Sequence, residues 1–158
     1  MDHSHKLRYG MKVLAIDPGD KRLGIAISDP SGTLARPYCV ITHKSRAKDA
    51  QKIIDIAKEE GVQLIVVGWA LDSEGEVGYR ARKSQRLANE IKKCGDLPVR
   101  MWDESYSTQA ALESRRELGV SRKKRKGHLD DLAASILLQD FLINNEGMDQ
   151  SKEAQGES

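Results

Sequence analysis

Cysteine is scarce in this 158-residue chain. Its two residues, Cys39 and Cys94, are too few and too far apart for a disulfide scaffold or a zinc site. Both sit in apolar stretches, which predicts reduced thiols packed into a core. Aromatics are also few: four Tyr, two Trp and one Phe leave little for base stacking and argue against sequence-specific reading of single strands. The longest apolar run, Leu64–Gly68 continuing to Leu71, is far short of a membrane span. The basic N-terminus has no apolar stretch behind it, so no signal peptide is expected. Phosphate-loop, dinucleotide-binding, nucleophile-elbow and zinc-protease signatures are all missing. Neither cysteine has a histidine beside it in sequence to activate it.

Charge is plentiful and nearly balanced, with 26 Lys and Arg against 24 Asp and Glu. The balance conceals an asymmetry. Residues 144–158 hold four acids and one base, which leaves residues 1–143 with a net charge of +5. A mildly basic body suits a polyanionic partner. The length fits one domain able to bury a core without disulfide or metal.

Three stretches of different behaviour are expected: a flexible extension over 1–10, a folded unit over 11–143, and a disordered acidic tail over 144–158. Within the folded unit, Met11–Asp17, Arg22–Ser28 and Thr33–Ile41 read as strands of a meander joined by Asp-Pro turns. Pro37 favours an edge for the third. A helix is predicted from Ser45 to Glu60, stopped by Gly61. Val62–Gly68 has the composition of a strand covered on both faces. A helix over Tyr79–Cys94, a strand over Pro98–Asp103, and helices over Ser107–Leu118 and Leu129–Ile143 complete the pattern. This order implies an α/β fold, a mixed sheet with helices on both faces, whose ligands gather at the carboxyl ends of the strands.

Carboxylates fall at those ends: Asp17, Asp103 and Glu104, with Asp130 and Asp131 in the first turn of the last helix. Carboxylate oxygen suits Mg²⁺ and Mn²⁺, and two such ions can activate water and stabilise a leaving oxygen in phosphodiester cleavage. On a helical wheel, Asp130 lies within about 60° of Ala133, Ala134, Leu137 and Phe141. A carboxylate on that apolar face is costly unless a cation meets it. Asp131 lies on the side of Ser135 and the polar stripe containing Gln139. Bases flank these acids: Lys21 and Arg22 in the loop after Asp17, Arg80 and Arg82 at the start of the second helix, and Arg122, Lys123, Lys124, Arg125 and Lys126 in one run. Each group can contact a phosphate backbone. A loop like Gly19–Gly24 also opens sugar kinases and actin-like ATPases, but those need a second comparable domain.

Together these segments resemble the YqgF/RuvX family of pre-16S rRNA nucleases, relatives of Holliday junction resolvases. LAIDPGDKRLGIAISD (14–29), LIVVGWALDSEGEVGYRARKSQRLANEI (64–91), WDESYSTQAA (102–111) and KGHLDDLAASILLQDFL (126–142) carry the resemblance. It implies a ribonuclease H-like five-stranded mixed sheet in βββαβαβα order. It also implies a cytoplasmic nuclease dependent on Mg²⁺ or Mn²⁺, processing the 5′ end of pre-16S rRNA during ribosome biogenesis. The family's acids carry over as Asp17, Glu104 and Asp130, serving as catalytic residues and metal ligands. Two departures stand out: Gly68-Trp69-Ala70 replaces a usual Gly-Leu-Pro, and Ser105 replaces an Arg after the acid pair. The alternatives are a branched-DNA resolvase, which normally acts as a symmetric dimer, and a non-catalytic rRNA-binding assembly factor. Either a monomer or a homodimer is compatible with the sequence.

Overall fold

The computed structural model describes residues 11–69, 78–104 and 132–144. The extension, the loop after Trp69, the helix expected over 107–118, the basic run, Asp130, Asp131 and the tail lie outside the described residues. Five strands form one sheet in the order β3-β2-β1-β4-β5: β1 (Val13–Pro18), β2 (Arg22–Ser28), β3 (Ala35–Thr42), β4 (Leu64–Trp69) and β5 (Val99–Asp103). The meander β1-β2-β3 is antiparallel, whereas β4 and β5 run parallel to β1. The sheet is therefore mixed, as the sequence pattern predicts.

Local chemistry accounts for most boundaries. Pro37 sits on β3, an edge strand, where its missing N–H costs no ladder bond to a further strand. The register slips there, Ile25 facing Cys39 and Ala26 facing Pro37, so Tyr38 bulges out. The first helix, α1 (Arg46–Glu60), starts where Ser45 accepts a bond from Lys48 N–H, and ends at Gly61 in the left-handed conformation. The second, α2 (Tyr79–Cys94), starts after Gly78, which supplies no side-chain cap.

Two layers of core cover the sheet. On one face Leu14, Ile16, Ile25, Ile65 and Val67 pack against Ile53 and Ile54 of α1 and Leu87 and Ile91 of α2. On the other, Val13, Ala15, Ala26, Leu64, Val66 and Trp102 pack against Ala134, Leu137, Leu138 and Phe141 of the helical segment 132–144. Each fully buried Leu, Ile or Phe contributes about 1.5–3 kcal/mol. The two cysteines form no disulfide and are half-buried, packed on the first core.

The second layer is held by polar contacts as well. Trp102 Nε1 donates to Asp140 at 2.9 Å, and its ring meets Phe141 edge-on at 5.2 Å. Gln139 donates to Thr33 O at 3.0 Å and accepts from Ala35 N at 2.9 Å. Ser135 is buried, with its hydroxyl bonded to Leu132 O, and the half-exposed Gln139 of the expected polar stripe ties the helix to the start of β3.

Candidate active site

Alternation along β1 sets where Asp17 points. Val13 and Ala15 belong to the core beneath residues 132–144, so Asp17 projects from the same face at the carboxyl end of the strand. In β4, Leu64 and Val66 line that face, which brings Gly68 onto it next to β1. Glu104 follows directly from β5, whose Trp102 faces Gly68 in register. Three adjacent parallel strands thus deliver Asp17, Gly68 and Glu104 to one place.

Gly68 is small for a reason. A Cβ there would stand 2.6 Å from Leu137 Cδ2 and 2.8 Å from Glu104 Oε2. Both are well inside contact distance, so any side chain at 68 would displace the carboxylate, the helix residue above it, or both. The missing side chain makes the floor on which Glu104 rests.

Glu104 is hydrogen-bonded to Asp17, and its pKa is pushed up to about 8. Burial is the largest cause, followed by the charge of Asp17 and the bond to it; Asp103 adds repulsion and Arg80 opposes it. Two carboxyls held this close share a proton unless a cation replaces it. Among the described residues no three acidic, His or Cys side chains form a metal-holding cluster. The pair supplies two oxygen ligands of the kind Mg²⁺ and Mn²⁺ take, and the third expected ligand, Asp130, lies outside the described residues.

A search against family models matches residues 11–144 to RuvX, described as Holliday junction resolvase. The chain belongs to the RuvX family. Among curated relatives, a Halothermothrix orenii protein named "Putative pre-16S rRNA nuclease" is 40% identical over 132 residues, 84% of this chain and 94% of that one. One of the same name from Desulforamulus reducens is 37% identical, covering 84% and 96%. Among solved structures, T. thermophilus RuvC in complex with Holliday junction substrate superposes with a TM-score of 0.56 at 19% identity, covering 86% of this chain and 97% of that one. The fold is ribonuclease H-like.

In this RuvX chain the structure gathers only part of the expected set. Asp17 and Glu104 meet, and Arg80 acts on Glu104 from the first turn of α2. Lys21, on the β1–β2 turn, and Arg22, which opens β2, are exposed, and Lys21 O accepts from the N–H of His43, just past β3, at 2.9 Å. Arg82 is exposed on α2. Arg122, Lys123, Lys124, Arg125 and Lys126 lie outside the described residues.

Some of what the structure uses was not foreseen. Gly68 reads in sequence as the end of a strand, and nothing local marks it as the seat of a carboxylate 36 positions away. Asp49 is buried, bonded to His43 Nδ1 and to Lys44 N. Its spacing of four from Ile53 and eight from Ala57 places it on the apolar stripe of α1, a signal the sequence does carry.

Proposed function

We propose that this chain is a divalent-metal-dependent endonuclease that processes the 5′ end of pre-16S rRNA in the cytoplasm. The observation that carries the reading is the Asp17–Glu104 pair on the Gly68 floor, two carboxyl groups pressed together at strand ends where their charges repel. The names of the relatives supply the substrate class. Residues 11–143 form the nuclease domain, flanked by an extension and an acidic tail.

Asp17 and Glu104 would hold Mg²⁺ or Mn²⁺, with Asp130 as the third ligand. When bound, the metal supplies Lewis acidity and lowers the pKa of a coordinated water. The chain's own contributions are positional. Gly68 fixes Glu104 against Asp17, and Leu137 closes the site from above. Arg80 offers a cation beside the pair, where a scissile phosphate needs its charge met. Lys21, Arg22, Arg82 and the run Arg122–Lys126 would neutralise flanking phosphates and set register without reading sequence.

A second reading, cleavage of branched DNA, is favoured by the family model's description and by the likeness to a junction-bound fold. One preparation tests both. A precursor rRNA leader and a four-way DNA junction are incubated with and without Mn²⁺, using wild type and Asp17→Asn. Metal-dependent cleavage of the RNA by wild type alone supports the proposal. Junction cleavage alone transfers it to the second reading. Cleavage by Asp17→Asn at the wild-type rate, or none by either protein, overturns it.

A further inference from the structure

On the sheet face opposite the acid pair, the structure contains a cavity of about 260 Å³. It lies between the starts of α1 and α2. Pro18 and Gly19, the two residues after Asp17, form one wall. Leu23 and Leu87 supply apolar surface, and the His43–Asp49 pair closes one side. Arg46, Lys83 and Arg86 bring three cations against one lining carboxylate, Asp49, which is already bonded to His43 and Lys44 N. At the mouth stands Tyr79, 62% exposed, the Lys83 ammonium 6.0 Å from its ring centre.

Each feature conflicts with an empty, solvated surface. A ring of this size exposed on a helix forgoes the burial an aromatic normally gains. Of the charged side chains that line the cavity, Arg46, Lys83 and Arg86 outnumber the one carboxylate, Asp49, and Lys83 lies near the start of α2, where a cation opposes the helix dipole. Lys83 has a carboxylate nearby, Asp20 at 3.4 Å, but Asp20 is itself mostly exposed. An anion with a flat apolar part resolves all three.

We propose that this cavity seats one unpaired nucleotide of the substrate strand, beside the nucleotide whose phosphate meets Asp17 and Glu104. Its base lies against Tyr79 at the mouth, and its phosphate lies among Arg46, Lys83 and Arg86. Only an unpaired base exposes a face for the tyrosine, because a base in a duplex is stacked on both sides. The contact is indifferent to sequence, since every base has such a face. This inference rests on the nuclease reading for its substrate, but its test does not require turnover.

Binding is measured in EDTA by fluorescence anisotropy at one fixed salt concentration, and again across a salt series for the slope. The probes are a labelled ten-nucleotide single-stranded RNA and the matching duplex, and the competitors are adenosine 5′-monophosphate and inorganic phosphate. Tyr79→Ala weakens single-strand binding roughly tenfold or more and leaves duplex binding unchanged. The double variant Arg46→Gln/Arg86→Gln weakens the single strand further and shallows its salt dependence. Adenosine monophosphate competes at concentrations where inorganic phosphate does not. All three residues are exposed, so the variants keep their melting temperatures. Equal losses for single strand and duplex would reduce the site to a basic surface. Equal competition by phosphate would reduce it to an anion site, and no loss at all would remove it. Each of these overturns the proposal. Failure of wild type to cleave RNA would sink the nuclease reading and leave these binding results intact.

Discussion

Replacing Glu104 by Gln should make the metal-free protein more stable near neutral pH, even as it abolishes cleavage. In the folded chain Glu104 titrates at about 8 rather than 4.5, because it is buried against Asp17. A carboxyl whose folded pKa is raised keeps its proton in the native state and loses it in the unfolded one. Its contribution is therefore intact below about pH 4.5 and drains away as pH climbs towards 8. At pH 7 the loss is on the order of 3 kcal/mol, from about 2.5 pH units at 1.36 kcal/mol each. Gln cannot ionise and keeps the shape, so Glu104→Gln escapes that loss. For a chain of this size the gain corresponds to a rise in Tm of roughly 6–12 °C. The assay is thermal melting of both proteins in EDTA at pH 4, 5.5, 7 and 8. The gain should vanish at pH 4 and be largest at pH 8. Millimolar Mg²⁺ should then raise the Tm of the wild type and leave the variant unmoved, because only the wild type gains from binding it. A variant no more stable at pH 7, or equally stabilised at pH 4 and pH 8, would refute the shared-proton account of the pair.

Gly68→Ala should lower stability by about 1–3 kcal/mol, as overpacking does, and cut kcat by moving Glu104; chemical denaturation and cleavage assays read the two effects. Asp130→Asn should abolish cleavage, whereas Asp131→Asn should retain most of it; a loss of activity confined to Asp131→Asn would put the helix phase off by one residue. Neutralising three bases of Arg122–Lys126 should lower the log–log salt slope of nucleic-acid binding by roughly 0.7–0.9 for each phosphate left without its base, and an unchanged slope would assign the run to solvent.

Much of the sheet was legible because short-range chemistry writes it. Pro37 marks the edge, Ser45 and Gly61 bracket α1, and the apolar Leu64–Val67 announces a strand covered on both sides. Asp17 and Glu104 were visible as acids at strand ends, but their meeting was not. That meeting depends on how three strands order side by side, and on a glycine whose role shows only when its neighbours are in place. The last helix shows the same limit. Its wheel located Ala134, Leu137 and Phe141 correctly on the buried face, with Ala133 half-buried at its margin, yet it gave no partner to Ser135 or Gln139. Ser135 turns back to its own backbone and Gln139 reaches the start of β3, 106 positions away from its partner Thr33. No periodicity encodes a partner at that separation.

The position of residues 132–144 has a consequence for biosynthesis. These residues form the layer over Val13, Ala15, Ala26, Leu64, Val66 and Trp102, and they leave the ribosome after every other described residue. Until they emerge, the nascent chain can build its first layer from α1 and α2 but lacks the cover that Ala134, Leu137, Leu138 and Phe141 give the other face. Domains mature as units at translation rates of about 5–20 residues per second, so a half-covered sheet persists for seconds and is a natural client for a chaperone. The acid pair lies on the same face and has Leu137 as part of its enclosure. The enclosure of the pair therefore waits until Leu137 has emerged, well after Asp17 and Glu104.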